Sequence, residues 1–277
     1  MPEQKKSKQE KRADREQAIV RQAIALFSDK GFLGVRMSDV ARACEVSMGT
    51  IYSHFAAKED LLLACAACIG VQEQALYRTV IEGEGAAMQR TVTGFTVNWL
   101  ISQHHQDLIE IEHLSLMPSI WRRANPQRIA ELNRVHESCF AMAQPLVLEM
   151  LEHDLTGGAD MEEEAREELA VLLNNGIWGL CVGLNSAANS GMARADEDGH
   201  EACSYKHFAT NVIHFLKGFG WNTDNPQAVF DDCRRKAVAL LDGHPWFAYP
   251  DTDADSGADS DADSDAVADT VNGEQHA

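Results

Sequence analysis

ALFSDKGFLGVRMSDVARACEVSMGTIYSHFAAKEDLL, residues Ala25 to Leu62, is the stretch on which the reading of the fold turns. Just before and within it, Ala18, Ile19, Ala23, Ile24, Leu26 and Phe27 recur at helical spacing, which predicts a helix from Asp14 to Lys30 that Gly31 stops. A short helix is expected from about Met37 to Cys44, then a tight connection through Glu45 to Met48, then a second short helix from about Gly49 to His54. Ile51 and Phe55 lie four apart and should face a core with Val40 and Ala41, which leaves Met48, Thr50, Tyr52, Ser53 and His54 pointing outward. Lys58-Glu59-Asp60 opens a longer helix that runs into Tyr77 and Ile81. Two short helices in this arrangement predict a helix-turn-helix whose second helix enters the major groove of DNA. Thr, Tyr, Ser and His side chains there offer hydrogen-bond donors to phosphates and base edges, and Lys58 offers a cationic phosphate contact.

Charge is distributed accordingly. The net charge of -19, taken whole, argues against nucleic acid, but it divides unevenly along the chain: residues 1–60 carry a net +2, residues 61–248 a net -12 and residues 249–277 a net -9. Phosphate binding needs only a local positive surface, because salt screens remote charge within about 10 Å. A DNA contact therefore belongs near the N-terminus.

The same stretch resembles the N-terminal DNA-binding domain of the tetracycline-repressor (TetR) family of bacterial regulators. Phe27, Gly31, Phe32, Asp39, Val40, Ala41, Val46, Ser47, Gly49, Thr50, Ile51, Tyr52, His54, Phe55, Lys58, Glu59 and Leu61 match in the family's spacing, and the likeness covers roughly residues 13–73. The resemblance implies that Thr50, Tyr52 and Lys58 meet the phosphate backbone. It also implies that the residues around Ser38, Ser47, Met48 and Ser53 approach bases, with Gly49 and His54 completing the DNA-facing set. Two positions depart from the family. Arg36 replaces the hydroxyl residue that caps the second helix, a loss of about 1 kcal/mol unless another group serves, and it can reach a phosphate instead. Glu45 replaces a turn glycine and must enter the left-handed region, also at about 1 kcal/mol.

Beyond the stretch, helical segments are expected at about 86–104, 106–116, 126–153, 160–190, 203–219 and 226–242, with Pro126 in the first turn of its helix and Pro145 kinking it later. No strand is expected. The chain reads as all-α: a basic flexible arm at 1–12, a three-helix helix-turn-helix domain at 13–73, a larger helical-bundle effector-binding and dimerisation domain at 74–248, and a disordered acidic tail at 249–277. By the resemblance, the helices at 160–190 and 203–219 pair two copies into a homodimer, which reads a near-palindromic double-stranded DNA operator. The resemblance also implies a repressor released by a small effector. The large apolar residues open to the central helices are Phe95, Trp99, Met117, Trp121 and Phe140, with His105, Glu112 and His113 as polar groups near them. Such a lining suits a hydrophobic or aromatic molecule.

Other chemistries find less support. Cys65 and Cys68 form a C-x-x-C inside the apolar run LLLACAACIGV and read as core thiols. Glu110 and His113 make one E-x-x-H, but a di-iron bundle needs two such pairs and two more glutamates, and the other instance, Glu197 and His200, sits in loop-like sequence. No catalytic residue, cofactor or metal ligand is expected, since no Ser-His-Asp order, phosphate loop or dinucleotide fingerprint appears. A helical metal protein or enzyme with a vestigial helix-turn-helix, or an activator without a ligand, remain the alternatives. Seven scattered cysteines suggest reduced thiols and the cytoplasm. The longest uncharged apolar run, Leu61 to Val71, has 11 residues, which predicts no membrane span and no membrane partner.

Overall fold

A computed structural model describes residues 7–190 and 204–249. Helices carry the fold: α1 (Lys8–Gly34), α2 (Met37–Ala43), α3 (Met48–His54), α4 (Lys58–Ile81), α5 (Ala87–His104), α6 (Gln106–Ser115), α7 (Pro118–Trp121), α8 (Pro126–His153), α9 (Glu163–Ala188), α10 (Tyr205–Gly218) and α11 (Pro226–Leu241). Among the described residues no strand forms, and the only β pairing is one isolated bridge between Leu155 and Trp221. The chain is all-α, an N-terminal helix-turn-helix followed by a larger helical bundle.

Each boundary has a local cause. Ser7 caps α1, its Oγ accepting from Glu10 N–H at 3.2 Å, while the Glu10 carboxylate accepts from Ser7 N–H. The flexible arm expected to reach residue 12 is thereby corrected: Lys8 to Arg12 are the first turns of α1, and residues 1–6 lie outside the described residues. Gly31, at φ +66 and ψ 158, breaks α1 where the sequence places a stop, and one more turn follows it. Asn125 caps α8, with Pro126 at its first position, and α8 runs through Pro145 without interruption. The single turn α7 has no counterpart in the sequence reading; Pro118 starts it and only four residues compose it.

Ile19, Ala23 and Phe27 of α1, Val40 of α2, Ile51 and Phe55 at α3, and Leu61, Leu62 and Cys65 of α4 are buried together as the core of the first domain. Helix α4 continues unbroken through residue 73, so the expected boundary there falls inside a helix shared by both halves. In the larger half, α5 lies between α11, α8, α4 and α9. Gly176 of α9 lets α10 come close, since a Cβ there would lie 2.7 Å from the ring of Phe215. Helix α9 reaches the length and hydropathy of a membrane-crossing segment, with one of its faces buried in the bundle. Asn174, Asn175 and several glycines hide it from a search for unbroken apolar runs, yet it has an 18-residue window of mean hydropathy 1.3, long and apolar enough to span by length and composition. Ala170, Leu173, Ile177 and Cys181 turn one face of α9 into the core, while Val171, Leu172 and Trp178 remain about half exposed on another. The acidic tail, Cys203 and the Glu197–His200 pair lie outside the described residues.

Candidate nucleic-acid interface

Helix α3 owes its start to Ser47. Its Oγ accepts from Thr50 N–H at 3.1 Å and sits 2.9 Å from Thr50 Oγ1, which fixes both hydroxyls at the helix N-terminus. Glu45 enters the left-handed region at φ 54, as the turn requires, and is the one non-glycine with positive φ among the described residues. Arg36 offers no side-chain cap to α2, but the Asp39 carboxylate accepts from Arg36 N–H at 2.9 Å, so half a capping box survives and the guanidinium stays exposed. With Ile51 and Phe55 fully buried, the opposite face of α3 shows Met48, Gly49, Tyr52 and Ser53 to solvent, with Thr50 half-buried. Tyr52 is 52% exposed, which leaves its phenol free to reach outward. Ser38 at the start of α2 is exposed on the same domain. The Ser53 Oγ donates to Thr50 O at 2.7 Å, so its hydroxyl is partly engaged inside its own helix.

Two residues expected to face DNA are placed otherwise. The His54 side chain is 3% exposed, with Nδ1 3.0 Å from Glu16 Oε2 of α1, so the outward orientation expected of it is corrected. The reason is that it ends α3 directly against α1, where a carboxylate gives its ring a partner. Lys58 Nζ donates to Phe32 O at 2.7 Å and to Val35 O at 2.9 Å and lies 4.1 Å over the Phe32 ring. Its ammonium holds the end of α1 against the start of α4, and desolvation there pulls its pKa below the usual lysine range.

Sequence reasoning missed the joint that holds this domain to the rest. Arg128, in the first turn of α8, donates to Glu16 Oε1 at 2.6 Å, to Glu131 Oε2 at 2.7 Å and to His54 O at 3.3 Å, and its guanidinium stacks 4.9 Å from the Phe55 ring. Burial alone would raise Glu16, but hydrogen bonds from His54 and Arg128 hold its carboxyl below the usual range. Beside it, buried Asp60 accepts from Ala57 N–H at 3.1 Å and from Asn125 N–H at 2.6 Å, so one carboxylate starts α4 and ties it to the cap of α8. A cleft of about 330 Å³ opens here, lined in part by Arg12, Tyr52, Ser53 and Gln127.

The eight residues expected to line an effector site each make contacts of their own. Trp99 is buried and stacked on Phe208 with ring centroids 4.8 Å apart. His105 Nε2 lies 3.1 Å from Ala248 O, at the other end of the chain. Trp121 Nε1 donates to Ser115 O, Phe140 meets the edge of Trp178, and Met117 is 46% exposed. Phe95 is half-buried against the core. Glu112 and His113 are both withdrawn from solvent: burial, then the nearby Glu73 charge, drive Glu112 well above the usual carboxylate range, and burial lowers His113. Among the described residues no group of three or more His, Cys, Asp or Glu is placed to hold a metal ion.

Residues 19–65 match the profile of the bacterial regulatory proteins of the tetR family. That segment, about a sixth of the chain, is similar to the N-terminal domain of the tetR family. In the same region the chain is 39% identical over 59 residues to YerO of Bacillus subtilis, an uncharacterised HTH-type transcriptional regulator, covering 21% of this chain and 20% of that one. It is 39% identical over 67 residues to the HTH-type transcriptional regulator UidR of Escherichia coli, covering 24% of this chain and 33% of that protein. The matches thus span no more than a third of these curated relatives. Solved structures extend the likeness of fold past the tetR domain. A protein described as a transcriptional regulator from Saccharomonospora viridis, in complex with choline, superposes with a TM-score of 0.51 at 17% identity over 76% of this chain and all of its own. The ketosteroid transcriptional regulator KstR2 of Mycobacterium tuberculosis gives 0.51 at 16% identity over 75% of this chain and 96% of its own.

Proposed function

We propose that the protein is a cytoplasmic transcriptional regulator that binds double-stranded DNA through α2 and α3 and represses its targets until a small effector releases it. The observation that carries this reading is the capped, solvent-facing α3 within a tetR-family domain: Ser47 and Thr50 fixed at its N-terminus, Met48 and Tyr52 exposed, and Ile51 and Phe55 anchoring it. An N-terminus that carries two hydroxyls and free N–H groups suits phosphate oxygens, and Met48, Ser53 and Ser38 stand where bases would be read. Arg36 supplies the exposed cation that Lys58, engaged with two carbonyls, does not.

Homodimerisation through α9 and α10 fits the half-exposed Val171, Leu172 and Trp178, which a second copy would cover. A two-fold dimer would read a near-palindromic operator. The effector, a lipophilic molecule bound within the helical domain, would favour the conformation with poorly spaced reading heads and so lower operator affinity by its differential affinity for the two states. Footprinting on the DNA upstream of the protein's own gene tests the reading. Protection of an inverted repeat supports it, and uniform cleavage at all protein concentrations refutes it.

A further inference from the structure

We propose that the effector carries a positive charge, which Glu73 of α4 and Glu112 of α6 receive inside the helical domain; this rests on the reading of that domain as effector-binding. Glu73 is 8% exposed, and its Oε1 is buried without a hydrogen-bond partner. A polar atom left so in the core costs free energy until something completes it. Around it the groups are acidic or neutral. Glu112 faces it from α6, Tyr77 stands one turn further along α4, and Cys139 comes from α8, and both carboxyls act on both of those side chains. Among the described residues no ion pair reaches Glu73 or Glu112. The half-buried His113 of α6 and His136 of α8 are shifted by desolvation toward their neutral forms. Buried Glu73 and half-buried Glu112 therefore bring acceptor capacity together with no counter-charge paired to them among the described residues.

The amides near this pair are engaged with other partners. Tyr77 OH accepts from Asn98 Nδ2 at 3.1 Å, Asn98 Oδ1 accepts from Asn185 Nδ2 at 3.0 Å, and Asn185 Oδ1 accepts from Ser102 Oγ at 2.8 Å. Gln74, next to Glu73, is spent on Val135 O at 2.7 Å. The Asn98, Asn185 and Gln74 amides thus each donate elsewhere, while Glu73 Oε1 is left without a partner. What the site lacks is one cation of moderate size with an apolar body, such as an organic ammonium or amidinium, which would offset the charge of ionised acids where water cannot. A neutral hydrocarbon offers nothing to the unpartnered oxygen, and an anion is repelled by the ionised acids.

The test compares charge at constant shape. Benzyltrimethylammonium and its neutral carbon isostere neopentylbenzene, with tetraphenylphosphonium and phenylacetate as a larger cation and an anion, are titrated into the full chain and followed by tryptophan fluorescence and calorimetry. The expected result is that at least one cation binds ten-fold or more tighter than the neutral isostere and phenylacetate. Glu73→Gln and Glu112→Gln should each remove most of that preference, and the double variant all of it. Calorimetry in two buffers of different ionisation enthalpy should show proton release with the cation and none with the isostere. Far-UV dichroism confirms that the variants fold, and unchanged or improved binding of the isostere gives a second check. The proposal is overturned if no cation binds, if cation and isostere bind alike, or if the preference survives in the double variant. Operator release is assayed separately: cation binding without release leaves this site standing and refutes the effector reading, while release by neutral ligands alone does the reverse.

Discussion

Arg128 Nη2, in the first turn of α8, donates to Glu16 Oε1 of α1 across 2.6 Å, while Glu16 Oε2 holds His54 at the end of α3. One carboxylate thus links three helices, and the orientation of α3 relative to the helical domain depends on it. Both side chains are mostly withdrawn from solvent, so the contact is stronger than a surface ion pair.

Arg128→Gln should lower stability by about 2 kcal/mol, because it strands a charge-assisted acceptor. The double variant with Glu16→Gln should cost less than the sum of the two single changes. Urea unfolding measures both, and additive effects would show that the pair is not coupled. Because the folded Glu16 pKa is depressed, its contribution is present above the ordinary carboxylate range and lost as pH falls.

Lys58→Ala and Arg36→Ala should separate. The first removes two hydrogen bonds that join α1 to α4 and should cost about 2 kcal/mol of stability while leaving the salt slope of DNA binding unchanged. The second should leave stability within about 0.5 kcal/mol and flatten the salt slope by about one ion. Binding isotherms between 50 and 200 mM salt decide; a flattened slope for Lys58→Ala would return that residue to the phosphate backbone.

These two positions show what the sequence made legible. Helix spacing in Ile51, Phe55, Val40 and Ala41 placed α2 and α3, because a buried stripe repeats locally and needs no partner to be seen. The polar face of α3 followed by subtraction. The roles of His54 and Lys58 did not, since Glu16 lies 38 residues from His54 in sequence and the Phe32 and Val35 carbonyls carry no side-chain signal at all. Trp99 stacks on Phe208 and His105 meets Ala248, long-range pairings that periodicity in one helix cannot announce. For Glu112 the sequence supplied the residue but not its partner, because nothing local joins it to Glu73.

Glu73 supplies a pH test. Burial pushes its carboxyl up to about 7 from an unfolded value near 4.5. The folded chain then keeps a proton that the unfolded chain releases, so this group's contribution is fully present below about pH 4.5 and is lost as pH rises through about 7. Glu73→Gln should therefore be more stable than wild type at pH 8 by about 3 kcal/mol, with the difference shrinking toward pH 5. Urea midpoints at both values check it, and a difference that grows on acidification would contradict the assigned sign.

Leu172 and Trp178 are 55% and 49% exposed on α9. Leu172→Glu should leave the fold intact and give a monomer by sedimentation, with operator affinity reduced at least ten-fold as two half-sites lose their linkage. A variant that stays dimeric would move the interface off this face.

Selection from random duplexes tests most directly whether α3 reads DNA. The purified full chain is used to retain fragments from a randomised pool at about 150 mM salt. A near-palindrome should emerge, and Met48→Ala or Ser53→Ala should change its preferred bases without abolishing binding. Enrichment of no common sequence by the wild-type chain, or an identical sequence selected by both variants, would contradict it.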